Sequence, residues 1–271
     1  MFIVKIPAIN GLGKTKGCEK AGNAILKTLR EEIYSNEQNI PIDVSLLDLE
    51  EIHIDNSDLN LTNNLIYENS LEIFETKPKT IFLGGDHSIS YSTGKAFLDY
   101  CRKQKKKPCL IIFDSHPDLM PVSAKKENFA NHEEWLRKLI EEGFPKENIL
   151  IIGIRNAEKE EISFIKQNKI KTIPFNNLFL DIENICDTIM EFASGKELYV
   201  SVDIDVIDPA FAPATGYPEP GGLTSREFLY LIQRINKIKN LHAIDIVEIN
   251  PEKDRENITV KLGAKVLAEL L

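Results

Sequence analysis

Aspartate and histidine alternate directly after one apolar run of the chain. Residues 110–113 are apolar enough for a buried strand, and Asp114, His116 and Asp118 follow at intervals of two residues. Alternate residues of an extended segment project to the same side, so these three side chains can converge. Carboxylate and imidazole together suit a divalent ion such as Mn, Fe, Co, Ni or Zn, and no cysteine lies in the segment to favour a thiolate site. The same alternation is also compatible with polar residues that face one way at a sheet edge.

Two further apolar runs end in residues of the same kind. Residues 80–83 lead into a Gly-Gly turn with His87 just beyond it, and residues 198–202 lead into Asp203 and Asp205. In an open α/β sheet, ligands bind in the crevice outside the carboxyl ends of the strands, so residues distant in sequence would gather there. Two histidines and four aspartates are too many for one ion. They suit two ions, roughly 3.5–4 Å apart, that generate hydroxide from water near neutral pH. The candidate metal ligands are His87, Asp114, His116, Asp118, Asp203 and Asp205.

Segments with strand and helix patterns alternate along the whole chain. We expect strands over residues 2–6, 42–49, 80–83, 110–113, 149–153, 170–173, 198–203 and 241–247. We expect helices over residues 18–34, 88–102, 157–167, 181–193, 224–237 and 258–271, another from Asn131 as N-cap, and a polar loop over residues 51–64. This alternation predicts an α/β fold of three layers, α/β/α, around a mostly parallel sheet of roughly eight strands.

Composition limits the class of protein further. Of 271 residues, 42% are hydrophobic and 28% are charged, which permits a sizeable core; we expect a single domain, residues 1–271. The net charge of −9 argues against a surface for nucleic acid or for an anionic membrane. Four scattered cysteines without a Cys-x-x-Cys pair predict no disulfide. Residues 2–6 follow Met1 as a strand rather than as a signal segment, so we expect a cytoplasmic protein without membrane spans.

The segments that carry the candidate ligands resemble the signature motifs of the ureohydrolases, the family of arginase, agmatinase and their relatives. The motifs read Gly-Gly-Asp-His-Ser at 84–88, Asp-Ser-His-Pro-Asp at 114–118 and Ser-Val-Asp-Ile-Asp-Val-Ile-Asp-Pro at 201–209. The third continues in register through residues 210–224, and Asp-Ile-Val-Glu-Ile-Asn-Pro at 245–251 resembles the family's C-terminal motif. The resemblance implies an arginase-like fold and a homo-oligomer, either a trimer or a hexamer. It also implies two divalent metal ions, with Mn²⁺ expected first and Ni²⁺, Co²⁺, Fe²⁺ or Zn²⁺ as alternatives.

The resemblance also implies catalytic roles in the hydrolysis of a guanidino carbon to urea and an amine. Asp118 would take a proton from the attacking water and relay it to the leaving amine, and Glu248 would bind the guanidinium. His132 lies where relatives keep a proton-shuttling histidine, and an imidazole pKa of about 6.5 suits that role. It is alternatively a surface residue, because a glutamate follows it where the family has glycine. Two neighbouring carboxylates, Asp86 and Asp208, would orient the ligating imidazoles.

The substrate is predicted from the loop after the central motif. Arginases resemble one another in placing an asparagine at the position of Met120, where it holds the amino-acid carboxylate. Methionine donates no hydrogen bond, so arginine should be a poor substrate unless Ser123, Lys125 or Lys126 substitutes. Glu158 lies where relatives place an acidic residue near the far amine of the substrate. We therefore expect a small cationic guanidino substrate, with agmatine preferred over arginine.

Other functions remain open at this stage. Arginase activity, hydrolysis of another guanidino acid or hydrolysis of a formimino group could use the same machinery. A metal-binding but catalytically silent protein is the alternative from a different class. A metallophosphoesterase is disfavoured, because its Gly-Asp and Gly-Asn-His stretches are missing in the expected order.

Overall fold

Eight parallel strands form one sheet through the middle of the protein. This computed structural model describes residues 1–11, 13–123, 127–175 and 181–271. The strands are β1 (Phe2–Ile6), β2 (Asp48–Glu51), β3 (Thr80–Gly84), β4 (Pro108–Phe113), β5 (Ile149–Ile152), β6 (Lys171–Ile173), β7 (Glu197–Asp203) and β8 (Leu241–Val247). Their order across the sheet is β2-β1-β3-β8-β7-β4-β5-β6, and every neighbouring pair is parallel. The predicted α/β class and strand number are therefore confirmed.

Eight α-helices of the described chain cover the two faces of the sheet. They are α1 (Ala21–Glu32), α2 (Leu59–Thr76), α3 (Ile89–Lys103), α4 (Trp135–Glu141), α5 (Lys159–Asn168), α6 (Ile182–Ala193), α7 (Ser225–Ile235) and α8 (Ile258–Leu270). Helices α1, α6, α7 and α8 enclose one hydrophobic core, whereas α2, α3 and α4 enclose the other, with α5 packed at its margin. The result is the three-layer arrangement expected from the sequence.

Strand β4, in the middle of the sheet, is apolar throughout because both of its faces are buried. Along β4, Cys109, Ile111 and Phe113 contribute to one core, whereas Leu110 and Ile112 contribute to the other. Alternate residues of a strand point to opposite faces, so a strand covered by helices on both sides has no position that favours a polar residue. Along β4, polar side chains therefore enter only where the strand ends, whereas β7 and β8 also carry Ser201 and Asp245 in their interiors.

The strand register brings those ends to one level. Leu83 of β3, Ile246 of β8, Val202 of β7 and Phe113 of β4 are partners across the four central strands. The residues that follow this row begin the loops at the carboxyl edge of the sheet, which is where an open α/β sheet binds ligands. The register thus collects the ends of β3, β8, β7 and β4 at one crevice.

Two predicted elements near the N-terminus are wrong in position. The strand expected over residues 42–49 is delayed to Asp48–Glu51, because Asp43 accepts a hydrogen bond from the Ser45 backbone and caps a 3₁₀ turn at Val44–Leu46. The loop expected over residues 51–64 instead contains the start of α2. Asp58 accepts a hydrogen bond from the Leu61 backbone N–H (3.0 Å) and caps that helix, so its polar residues begin a helix rather than a loop.

Three other helices begin in different ways. Thr224 and Glu227 form a capping box at the start of α7. The expected cap at Asn131 is wrong, because its carboxamide accepts a hydrogen bond from the Glu133 backbone and closes a turn, so that α4 begins only at Trp135. Ser88, which precedes α3, makes no capping hydrogen bond with its side chain.

Two further features are the state of the cysteines and the length and polarity of the helices. All four cysteines are free thiols in the interior. Within the described residues, no helix is both long enough and apolar enough to cross a membrane.

The Gly-Gly turn after β3 supplies the first testable prediction. A Cβ atom on Gly85 would lie 1.9 Å from the Ala8 carbonyl oxygen, and the Gly85 carbonyl accepts the Glu248 N–H. We expect Gly85→Ala to lower the free energy of unfolding by about 3 kcal/mol or more, because backbone must move to remove the overlap. Gly195→Ala is the control, since nothing lies within 4 Å of its Cβ position and only its positive φ of 70° adds a cost of about 1 kcal/mol. Equal losses in urea denaturation would contradict the steric account.

Candidate metal centre and substrate pocket

Three carboxylates surround one ring nitrogen of His87. The Nδ1 atom lies 3.1 Å from Asp114 Oδ2, 3.0 Å from Asp118 Oδ2 and 3.3 Å from Asp203 Oδ2. The strands β3, β4 and β7 deliver these four residues to the same point of the crevice. His87, Asp114 and Asp118 together have ligand atoms close enough to hold one metal ion.

A second group of potential ligands forms around His116. Its Nδ1 atom lies 2.9 Å from Asp205 Oδ2 and 3.7 Å from Asp114 Oδ1. His116, Asp205 and Asp114 have ligand atoms close enough to hold a second ion. Asp114 belongs to both groups, so its two carboxylate oxygens could be shared between two ions. The structure thus brings all six candidate ligands to one crevice, five of them in two groups that share Asp114, with Asp203 beside His87.

The protonation equilibria of the ligands depend on one another. Burial by itself lowers the pKa of His87, but the surrounding carboxylates outweigh burial and hold its pKa well above the usual value. Burial and repulsion from Asp205 and Asp114 raise the pKa of Asp203 well above its usual value. Burial and the charge of Asp114 also raise the pKa of Asp118, to about 7. Without a metal ion, the negative charge at this edge is therefore compensated by protons that His87, Asp203 and Asp118 retain.

The donor set fits a divalent cation. Among the described residues, His87 Nδ1 and Asp114 Oδ2 are buried and make no hydrogen bond despite their close approach. Separations of about 3 Å match neighbouring ligand atoms on an ion whose bonds to nitrogen and oxygen are about 2.0–2.2 Å long. Imidazole nitrogen and carboxylate oxygen suit Mn, Fe, Co, Ni and Zn.

A chain of hydrogen bonds orients the imidazole of His87. Its Nε2 atom lies 2.9 Å from Ser201 Oγ, and that hydroxyl donates to Asp245 Oδ1 at 2.7 Å. Since the hydroxyl proton points to Asp245, Nε2 must carry the ring proton, which leaves the Nδ1 lone pair free for a metal ion. Tyr199 and Ser90 also donate to Asp245, so this buried carboxylate is held from several sides.

The two carboxylates expected to orient imidazoles do something else. Asp86 accepts hydrogen bonds from the Asn10 backbone (2.8 Å) and the Thr15 hydroxyl (2.9 Å), and so fastens the N-terminal loop over the site. Asp208 accepts from the backbone of Ala210, Gly221 and Gly222, and so closes the loop after β7. That expectation was therefore wrong: Asp245 supports the imidazole instead, through Ser201.

A cavity of about 230 Å³ opens beside the candidate metal ligands. It is smaller than the roughly 300–1,000 Å³ of typical ligand pockets, which favours a small substrate. Five residues singled out from the sequence line it: His116, Asp118, Met120, His132 and Glu158. Sequence reasoning missed the other five, which are Glu133, Asn156, Ala157, Glu161 and Tyr217.

His132 is a buried residue of this cavity, not a surface histidine. It is only 5% exposed, and neither ring nitrogen has a hydrogen-bond partner among the described residues. Its ring lies 5.2 Å from that of Tyr217, and burial lowers its pKa. An unpaired buried imidazole is costly unless a ligand or water completes its hydrogen bonds. A bound molecule or a water molecule in the cavity could therefore complete the hydrogen bonds of His132.

Glu248 lies next to His87 but does not line the cavity in the part of the chain that the structure describes. Its Oε1 atom accepts the His87 backbone N–H at 2.9 Å, and the Cys18 thiol is 3.9 Å from Oε2. Burial and the charge of Asp86 raise the pKa of Glu248 well above the usual value. A bound cation would stabilise the charged form of this carboxylate.

The residues on which the substrate prediction rests differ in where they lie. Met120 and Glu158 both line the cavity, and the Glu158 backbone N–H donates to Glu161 at 2.8 Å where α5 begins. Ser123, proposed as a substitute for the missing asparagine, uses its hydroxyl and its backbone N–H to bind Glu134. The other two proposed substitutes, Lys125 and Lys126, lie outside the described residues.

The chain resembles known proteins along its whole length. A sequence model described as "Arginase family" matches residues 1–271. The chain is 29% identical to mitochondrial arginase 1 of Oryza sativa subsp. indica over 237 residues, which is 87% of this chain and 67% of the relative. It is 35% identical to agmatinase of Bacillus subtilis over 192 residues, 70% of this chain and 61% of the relative. The solved structure of formimidoylglutamase from Bacillus subtilis has a TM-score of 0.86 at 25% identity, covering 99% of this chain and 85% of that one.

The single tryptophan of the sequence should report metal binding. Trp135 Nε1 donates to Asp118 Oδ2 at 2.7 Å, and its ring lies 4.8 Å from that of His87. We expect Mn²⁺ or Co²⁺ to change the emission of the metal-free protein saturably, because both neighbours of the indole would become ligands. Ca²⁺, which favours oxygen-only sites, is the control. Stoichiometric metal uptake with unchanged emission would show that the ions bind elsewhere.

The support of His87 can be tested by the same titration. We expect Ser201→Ala to weaken metal binding by about 10–100-fold, because the imidazole loses the group that fixes its tautomer. Ser163→Ala is the matched control, since Ser163 is exposed and donates only to a carbonyl within α5. Identical titration midpoints for wild type and Ser201→Ala would exclude the proposed support.

Proposed function

The chain belongs to the arginase family, and from this premise we propose that it hydrolyses a guanidino compound with a second positive charge, agmatine above all, to urea and an amine. Members of the family are metal-dependent amidinohydrolases with a binuclear divalent metal centre. This chain is accordingly a hydrolase of that class. The substrate, the metal and the roles of individual residues are the proposal.

We assign two Mn²⁺ ions to the carboxyl edge of the sheet, with Ni²⁺, Co²⁺, Fe²⁺ and Zn²⁺ as alternatives. The two groups of ligand atoms that share Asp114 support this assignment. Two divalent ions lower the pKa of water and so supply a hydroxide nucleophile near neutral pH. The proposed ligands are His87, Asp114, His116, Asp118, Asp203 and Asp205.

The protein groups of the site move protons and orient the substrate. Asp118 faces the cavity, and its carboxylate would take a proton from the attacking water and pass it to the leaving amine. His132, whose ring nitrogens have no partner among the described residues, would carry protons between the leaving amine and solvent. Glu248 would bind the guanidinium through two parallel hydrogen bonds. Burial of these groups excludes competing water and strengthens each electrostatic contact.

The observation that carries the substrate assignment is the charge of the cavity wall. Its described lining contains glutamates and Met120 but no lysine or arginine. The carboxylate of arginine would meet no cation there among the described residues, and an unpaired buried charge costs on the order of several kcal/mol. The terminal ammonium of agmatine would instead meet carboxylates. This favours agmatine over arginine and over guanidino acids.

Hydrolysis of a formimino group is the second candidate. The structural likeness to a formimidoylglutamase favours it, because the two chains share the fold over nearly the whole length of this one. Its substrate carries carboxylates, however, which the cavity wall does not match. Assembly and location stay predictions: we expect a trimer or hexamer in the cytoplasm, and sedimentation at micromolar concentration would test the former.

A substrate panel tests the proposed function. We expect the Mn²⁺-loaded protein to release urea from agmatine with a kcat/KM at least about tenfold above that for arginine, guanidinobutyrate or guanidinopropionate, and to turn over formiminoglutamate least. Asp203→Asn, which removes one proposed ligand, should lose both metal content and activity. A higher kcat/KM for arginine than for agmatine would overturn the argument from Met120, and binding without turnover of any substrate would favour a catalytically silent protein.

A further inference from the structure

Glu133 follows His132 directly and lines the same cavity. We propose that its carboxylate binds the distal ammonium of the substrate and sets the preference for amine-ended guanidines; this inference rests on the hydrolase activity proposed above. Glu133 would thus be a specificity-determining residue, distinct from the groups that bind metal and guanidinium.

The backbone around Glu133 is held in a defined position. The Met120 N–H donates to the Glu133 carbonyl at 3.0 Å, and the Glu133 N–H donates to the Asn131 side chain at 2.9 Å. The next residue, Glu134, accepts hydrogen bonds from the backbone and the hydroxyl of Ser123. The main chain is therefore tied on both sides, and the Glu133 side chain projects from a fixed point into the cavity beside Met120.

Of the three glutamates that line the cavity, Glu158 and Glu161 form the capping box at the start of α5, whereas the Glu133 carboxylate is available for a ligand. The oxygens of Glu161 already accept the backbone N–H groups of Leu119 and Glu158, both at 2.8 Å, and serve the start of α5. Glu133 makes no side-chain hydrogen bond within the described residues, and its nearest ionisable partner is His132 Nε2 at 3.7 Å. Its side chain is 37% exposed, so a substrate can reach it without displacing an internal contact.

A second feature shows that this wall faces a ligand. His132 is almost fully buried, lines the same cavity, and has two ring nitrogens without partners in the described chain. Lys14 lies 4.5 Å from the centre of the Tyr217 ring, but it is not among the described lining residues. Within the described residues no lysine or arginine lines the cavity, so an ammonium would meet Glu133 without a competing cation among them.

A direct and an indirect role of Glu133 predict different kinetic effects. Glu133 could act only through His132, whose pKa its charge raises against the effect of burial. Such a role would change kcat for every guanidine in the same proportion. Binding of the distal ammonium would instead change KM, and only for substrates that carry the ammonium. The two accounts therefore differ in which substrate and which kinetic constant respond.

The decisive comparison uses agmatine and 1-butylguanidine, which lacks only the terminal amine. We expect Glu133→Gln to raise KM for agmatine about tenfold, a loss typical of a partly exposed charge-assisted hydrogen bond, and to leave 1-butylguanidine unchanged. Glu160→Gln is the matched control, because Glu160 lies on exposed α5 surface outside this cavity. Equal effects on both substrates, or a loss confined to kcat, would overturn the proposal.

Reversing the charge at Glu133 should increase the preference for a substrate with a negative tail, which misfolding cannot do. Glu133→Lys should shift the ratio of kcat/KM for 4-guanidinobutyrate over agmatine upward by about a hundredfold, because the substrate tail must then be negative. An unchanged ratio would count against the proposal.

Dissociation constants of agmatine and 1-butylguanidine for the metal-loaded protein test the role of Glu133 independently of turnover. Absent turnover would sink the proposed function alone, whereas equal affinity of wild type for both ligands would sink the role of Glu133.

Discussion

Mutual repulsion among four buried carboxylates at the carboxyl edge of the sheet is the constraint on which the site depends. Asp114, Asp118, Asp203 and Asp205 are each at most 7% exposed, so water screens them poorly. Backbone N–H groups offset part of this charge: Ser115 donates to Asp205, and Asp205 donates to Asp203. Two imidazoles offset more. The balance requires protons or divalent cations, which is why this edge can serve as a metal centre and not as an ordinary polar surface.

Backbone conformation at the same edge is also unfavourable. Asp118 and Glu248 have positive φ angles of 52° and 65°, in the left-handed region that costs non-glycine residues on the order of 1–3 kcal/mol. Local contacts hold both residues there. The Glu248 N–H donates to the Gly85 carbonyl, and the Asp118 carboxylate accepts the Trp135 indole N–H. The sheet and α4 thus sustain a geometry that these two residues would not adopt alone, as expected where function is favoured over stability.

Different parts of the structure supply the proposed metal ligands and the proposed substrate wall. The ligands follow directly from strand ends, whose positions the sheet register fixes to one level. The substrate wall comes from the loop between β4 and α4 and from the start of α5, where side chains rather than strand register set the shape. Variation beyond Asp118 in those loops can therefore change the substrate while the proposed metal ligands stay in place.

The sequence by itself determined the class of fold, seven of the eight strands in nearly correct position, and the six residues that gather at the metal centre. Periodic apolar runs are local signals, and parallel strands necessarily bring their carboxyl ends to one edge. The late start of α4 and the helix after Asp58 were missed because side-chain hydrogen bonds to backbone, which depend on exact geometry, outweighed the residue pattern. Only the tertiary structure decided that Asp245 supports His87, that Asp86 fastens a loop, and that Glu133 faces the cavity, because each of these depends on contacts between segments far apart in the chain or on the direction of one side chain.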